Sequence, residues 1–279
     1  MKLGIKSAAS FSCLFLILIL LSGCGGGGVI PGHRPSAPDS GSPADPSAQS
    51  QNITGNWQFS TTSTAGMPSL TIAASIIQSG SAITGEAHVD GSSCFDQRAA
   101  IALTGTLSNG NISLASAAVN GQVITLTGGI TEKIGFPGSL TGTYAINGGC
   151  ADGDQGNSTG YNVISLAGYW AGSLTTAGGQ TIHWDTQLNQ DGPTAQGSFG
   201  LNGTFTFDGC FASGTATSGT FPSASYILGT AVALDINTGN GKMAFVGTME
   251  PYGLIEGTYT ISGGTCDSTG TGYLSPWEY

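Results

Sequence analysis

Leu140-Thr141-Gly142-Thr143-Tyr144-Ala145-Ile146 alternates apolar and polar side chains, and its pattern returns as Ile255-Glu256-Gly257-Thr258-Tyr259-Thr260-Ile261. In the first copy Leu140, Gly142, Tyr144 and Ile146 fall on one face, with Thr141, Thr143 and Asn147 on the other. A period of two is the mark of a half-buried strand. Tyr144 and Tyr259 are therefore expected in a core. Working outward, Gly148-Gly149-Cys150 follows the first copy, and Gly263-Gly264 and Cys266 follow the second.

Two earlier blocks repeat in the same order. Ile53-Thr54-Gly55-Asn56-Trp57 returns as Leu166-Ala167-Gly168-Tyr169-Trp170. Gly85-Glu86-Ala87-His88-Val89-Asp90-Gly91, followed by Cys94-Phe95, returns as Gly203-Thr204-Phe205-Thr206-Phe207-Asp208-Gly209, followed by Cys210-Phe211. The chain is thus an internal duplication, with repeats over residues 53–165 and 166–279. Each repeat runs to about 110 residues, the size of one domain.

Within the first repeat, alternation and turn signals such as Asn109-Gly110 and Asn120-Gly121 mark strands at 53–60, 69–78, 82–90, 99–107, 111–118, 122–131, 138–147 and 157–166. On 82–90, Ile83, Gly85, Ala87 and Val89 are expected to face in, and Thr84, Glu86, His88 and Asp90 out. About eight short antiparallel strands per repeat predict an all-β chain of two tandem small up-and-down β-barrels. A pair of β-sandwiches is the alternative. Asn240-Gly241 is the matching turn signal in the second repeat.

Composition supports this class. There are 47 glycines, and charged residues make up only 8%, against about 25% in an ordinary soluble domain. Beyond Lys2 and Lys6 only Arg34, Arg98, Lys133 and Lys242 are basic, against 16 acidic residues. A chain so acidic repels nucleic acid and has no basic patch to overcome that.

The N-terminus carries a different message. Lys2 and Lys6 precede an apolar run from Phe11 to Leu21, which ends in Leu21-Ser22-Gly23-Cys24. The run is too short to span a bilayer, which needs about 20 apolar residues, and the order is that of an export signal. Residues 21–24 resemble the lipobox of bacterial lipoproteins. That resemblance implies removal of residues 1–23, a diacylglycerol and an N-acyl chain on Cys24, and anchoring in a cell membrane. Gly25 takes the place of the aspartate that would favour the inner membrane, so the outer membrane is expected. Residues 24–52 then form a Gly-, Pro- and Ser-rich tether that cannot bury a core. The repeats resemble lipocalin- and avidin-type barrels through their Gly-x-Trp and Gly-Thr-Tyr segments. They also resemble the Gly/Thr/Ser-rich lipoproteins of acidobacterial genomes. The lipocalin likeness implies that Trp57 and Trp170 plug the barrels.

Export places the remaining cysteines in an oxidising compartment. Cys94 and Cys150 have the same separation as Cys210 and Cys266. Of the three possible pairings, one bridge inside each repeat respects the duplication. The aromatic end Tyr273-Leu274-Ser275-Pro276-Trp277-Glu278-Tyr279 is a habit of outer-membrane barrels, but Pro276 interrupts the strand and no lipid-facing aromatic belt is present.

Candidate chemistry is sparse. Glu86, His88 and Asp90 could share a strand face as metal ligands, but the copy carries Thr204, Thr206 and Asp208 there. His183-Trp184-Asp185 is a second His-x-Asp, read as an exposed strand edge. Asp152, Asp154 and Asn157 alternate as in calcium loops but lack the EF-hand spacing, and read as a solvated acidic turn. Glu86, Glu132, Glu250 and Glu256 are unpaired candidates for sugar hydrolysis. No catalytic residue, cofactor or metal is nominated. The sequence therefore points to a non-enzymatic, membrane-anchored binding module for a small apolar ligand or envelope component. The alternative is a structural or surface-interaction protein with filled barrels, and an envelope hydrolase comes behind both.

Overall fold

The computed structural model describes residues 51–133, 136–209, 211–263 and 269–277. The signal, Cys24, the tether to residue 50, Cys210 and Cys266 lie outside the described residues.

The first repeat forms β1 (Gly55–Ser63), β2 (Thr71–Ser79), β3 (Ala82–Asp90), β4 (Ile101–Ser108), β5 (Asn111–Ser116), β6 (Val123–Lys133), β7 (Phe136–Asn147) and β8 (Gln155–Val163). Each pairs antiparallel with its neighbour in sequence, and β8 closes onto β1. This is an up-and-down barrel, which removes the edge strands a sandwich would keep. The Asn109-Gly110 turn has φ of 51° and 75°, and Asn120-Gly121 has 50° and 78°. Positive φ at both positions is the type I′ geometry that matches strand twist.

The second repeat forms β9 (Gly168–Thr176), β10 (Thr181–Pro193), β11 (Phe199–Phe207), β12 (Gly214–Ala216), β13 (Tyr226–Leu228), β14 (Ala231–Thr238), β15 (Gly241–Met249), β16 (Ile255–Ser262) and β17 (Thr269–Pro276). β17 pairs with β9, and β12 and β13 both sit between β11 and β14. They share the wall position that β4 fills alone in the first barrel, so this barrel also closes with eight positions. β10 is bonded on both sides, to β9 and β11. His183 and Asp185 are thus on an interior wall strand, not the edge expected from sequence. The second repeat's expected Asn240-Gly241 turn falls one residue earlier, since Thr238 pairs with Gly241.

The alternation read from the sequence places the cores. Leu140, Tyr144 and Ile146 are buried, as are Ile255, Tyr259 and Ile261. Gly142 and Gly257 serve close approach. A Cβ on Gly142 would overlap Thr127 O, and one on Gly257 would lie 2.7 Å from Gly247 Cα.

The barrels are also closed alike. Trp57 Nε1 donates to Ile53 O at 2.8 Å, and Trp170 Nε1 donates to Leu166 O at 2.9 Å. Ile53 N donates to Gln78 Oε1, and Leu166 N donates to Gln190 Oε1. Both tryptophans are buried. Each indole thus holds the carbonyl of the entering chain, and a glutamine from the second strand holds its N–H. A buried indole N–H needs such a partner.

Candidate functional site

The cysteines expected to pair in the first repeat do so. Cys94 and Cys150 are bonded, with their Cα atoms 5.8 Å apart and a sequence separation of 56. The bridge ties the loop after β3 to the 3₁₀ turn Gly149–Ala151. Gln122 Nε2 donates to Cys94 O beside it, and Phe95 is buried under the loop. The pair Cys210 and Cys266 lies outside the described residues.

Asp154 overturns the reading of a solvated acidic turn. It is buried, and it accepts hydrogen bonds from Ser63 Oγ at 2.6 Å and Tyr144 OH at 3.0 Å. Burial, and then the Asp154 carboxylate, push the Tyr144 phenol above its ordinary value. Asp152 instead caps the turn by accepting from Gly148 N. The alternating oxygens therefore point to different partners, and Asp154 pins the β7–β8 turn to the end of β1.

His88 differs from its sequence reading more sharply. It lies on the outer face of β3 as expected, yet only 5% of it is exposed, because the second barrel covers it. Nδ1 is 3.1 Å from Gln97 O, and Nε2 is 2.7 Å from Gln196 O. Carbonyls only accept, so both bonds form together only when both ring nitrogens carry protons. The Phe221 ring packs edge-on at 4.8 Å. Glu86, two residues away, is raised above the ordinary carboxylate range by desolvation and drawn back by His88. Asp90 serves the loop instead, accepting from Gly91 N and Gln97 Nε2. In the copy, Asp208 accepts from His183 N at 2.6 Å, and His183 Nδ1 meets Ser173 Oγ at 3.0 Å.

The junction around His88 continues along β1. Asn56 Nδ2 donates to Gly229 O and Asn56 Oδ1 accepts from Gly229 N, both at 2.8 Å. Gln58 Oε1 accepts from Thr230 N at 3.1 Å. Gly229 has φ of 54°, and a Cβ there would overlap Gln58 Oε1 and lie 2.7 Å from Ala73 Cβ. Sequence reasoning passed over Asn56 and Gln58. The signal was available: the middle residue of Gly-x-Trp faces outward, and it is an amide in one repeat and Tyr169 in the other.

Among the described residues, no group of three or more His, Cys, Asp or Glu gathers as a metal site. Glu86 lies at the junction, Glu250 follows β15 and Glu256 is exposed on β16. The Glu132 side chain is outside what is described. Both barrel interiors are packed. Trp57 stacks on Phe59 at 5.7 Å in the first. In the second, Trp184 contacts Phe205, Phe207 and Phe245 at 5.3–6.0 Å, and Phe211 meets Tyr259 at 5.8 Å. Three hollows open on outer surfaces. One of about 370 Å³ is lined by Thr64, Thr125, Thr127, Thr143, Gln155 and Asn157. Another of about 460 Å³ runs past Pro222, Ala233, Asp235, Lys242 and Val246. A third of about 490 Å³ lies along the loop with Phe95, Asp96 and Arg98.

No family profile matches the chain, and no curated protein does. Among solved structures, kievitone hydratase from Nectria haematococca is 14% identical over 80% of this chain and 88% of its own, with a TM-score of 0.23. An AttH-like protein from Nitrosomonas europaea is 11% identical over 78% of this chain and 91% of its own, with a TM-score of 0.21. At these scores neither likeness carries an argument about fold or activity.

Proposed function

We propose that this chain is a lipid-anchored, non-enzymatic protein of the cell envelope, held in the outer membrane through Cys24, that engages its partner with the outside of two filled barrels. The observation that carries the reading is the packing of both interiors. Trp57, Phe59, Trp184, Phe205, Phe245 and Tyr259 are each exposed by 1% or less, and they occupy the space where a ligand-holding barrel keeps a cavity of about 300 Å³ or more. A low-charge exterior rich in hydroxyls and amides then remains as the surface available for recognition.

The test is native mass spectrometry of the full protein purified from its host. The expected mass is that of the polypeptide from Cys24 onward plus its acyl groups. A stoichiometric small apolar molecule, released on denaturation, would overturn the filled-barrel reading. The anchor is tested separately. Cys24→Ser should move the protein from membrane pellets to the soluble fraction, and retention in the pellet counts against lipidation.

A further inference from the structure

The second barrel leaves a row of aromatic rings in solvent where the first barrel has its junction. Tyr169 is 51% exposed, Trp277 52%, Tyr273 43% and Tyr252 78%. Three of them lie on one outer face along the β9–β17 seam. Pro276 pairs with Trp170, and Trp277 N donates to Tyr169 O at 3.0 Å, which sets Trp277 opposite Tyr169. Tyr273 lies four residues back along the same strand, about 13 Å at the usual rise. Between the rings the floor is small: Ser275 faces Ala171, and Ser173 faces Tyr273. Tyr252 stands at the end of this seam, since a Cβ on its neighbour Gly253 would lie 3.0 Å from Pro276 Cγ.

The flanks are polar and mixed. Gln187 is opposite Tyr169, Asp185 opposite Ala171 and His183 opposite Ser173. Glu256 is opposite Tyr273 on the other side. All four are exposed. Large exposed apolar groups gathered on one face mark an interaction surface, and Tyr and Trp are the rings enriched where partners dock.

The structure assigns this face to a neutral polysaccharide chain, whose sugar rings stack on Tyr169, Tyr273 and Trp277 and whose hydroxyls bond Asp185, Gln187 and Glu256. The assignment rests on the reading that partners meet the outside of the barrels. Three observations select this chemistry. Exposed aromatic side chains spaced along the β9–β17 seam over a floor of Ser and Ala suit flat, C–H-bearing rings lying end to end. The flanks offer both donors and acceptors, which hydroxyls need and which a simple cation does not. Among the described residues the face carries two carboxylates and neither lysine nor arginine, which disfavours anionic lipid and acidic polymers. The duplication adds contrast. At the matched position Asn56 grips a backbone amide through two hydrogen bonds, whereas Tyr169 offers a ring, so the second face is built for a partner that stacks.

The experiment uses the full chain and three probes: insoluble cellulose, insoluble chitin and soluble poly-lysine. Of the four tryptophans, Trp57, Trp170 and Trp184 are buried, so a change in acrylamide quenching on binding reports Trp277. Retention on cellulose or chitin with Trp277 shielded is expected. Tyr273→Ala with Trp277→Ala should weaken retention about tenfold or more, with near-ultraviolet circular dichroism unchanged. Trp277→Phe should stay within about threefold, since stacking survives. No retention of the parent on either polysaccharide, undiminished retention in the double variant, or preferential binding of poly-lysine each overturns the proposal. Failure here leaves the barrels ligand-free in native mass spectrometry, whereas failure of the filled-barrel reading shows a molecule inside them.

Discussion

The two barrels fill the same frame with different residues, and one row of the core shows how. In the first, Gly160, Phe59 and Ile72 lie side by side on β8, β1 and β2. In the second, the matching row is Leu274, Gly172 and Trp184 on β17, β9 and β10. The large ring has moved one strand over. A Cβ on Gly160 would lie 2.7 Å from Phe59 Cε1, and one on Gly172 would lie 2.9 Å from Trp184 Nε1. Each ring therefore needs its glycine beside it. The repeats have kept total volume and closure while exchanging positions, as close-packed cores permit. The wall differs as well. β4 is continuous, whereas Gly219 and Pro222 fall in the gap between β12 and β13. Proline lacks the ladder N–H, and the excursion carries Phe221 onto His88. The broken strand of one barrel thus contributes Phe221 to the junction with the other.

The exchange can be broken most severely in the second core. Trp184→Ile should cost about 3–5 kcal/mol, in the range of large-to-small core changes. Adding Gly172→Phe and Leu274→Gly rebuilds the first barrel's row and should recover at least about 2 kcal/mol, read by urea unfolding. A triple variant no more stable than the single one would mean that the rows are not interchangeable. Next in size is the bridge of the first barrel. Cys94→Ser with Cys150→Ser should cost about 4 kcal/mol by loop-closure entropy, seen as a lower midpoint in urea or thermal unfolding, and an unchanged midpoint would show that the bridge adds nothing to stability.

A smaller change separates the barrels without emptying either. Gly229→Ala places a methyl group against Gln58 and Ala73 and should cost about 2 kcal/mol, as overpacking does. Its signature is one unfolding transition becoming two, with protease cutting between residues 163 and 168; an unchanged single transition would show that the junction does not couple them. Smallest is Tyr144→Phe, expected to cost about 1 kcal/mol for one hydrogen bond. The folded phenol titrates above its unfolded value, so its share of stability is complete below the ordinary tyrosine range and is lost as pH rises through the raised value. The parent should therefore lose stability in alkali more steeply than Tyr144→Phe, and parallel curves would show that the phenol is not raised in the folded state.

Local periodicity made much of this legible. The eight strands of the first repeat fall within a few residues of their expected places because one face of each is buried and the period is two. The Asn109-Gly110 and Asn120-Gly121 turns and the Cys94–Cys150 bridge follow from local chemistry and from the duplication. His88 was not legible, because the carbonyl covering it belongs to Gln196, 108 residues away. Asp154 was misread for a similar reason: its partner Ser63 is 91 residues away. The aromatic seam needed β17 to be set beside β9, a closure that no local pattern encodes.

Lys242 and Asp235 form the ion pair found among the described residues, at 2.7 Å, with side chains 55% and 28% exposed. So exposed a pair contributes little, and the fold is otherwise held by buried apolar groups, hydrogen bonds and the Cys94–Cys150 bridge. Screening that pair therefore removes little of the fold's stability. Salt acts between molecules instead. Copies with a formal net charge of −10 repel one another until counterions screen them, so the spacing of neighbours, rather than the integrity of each, is what salinity sets.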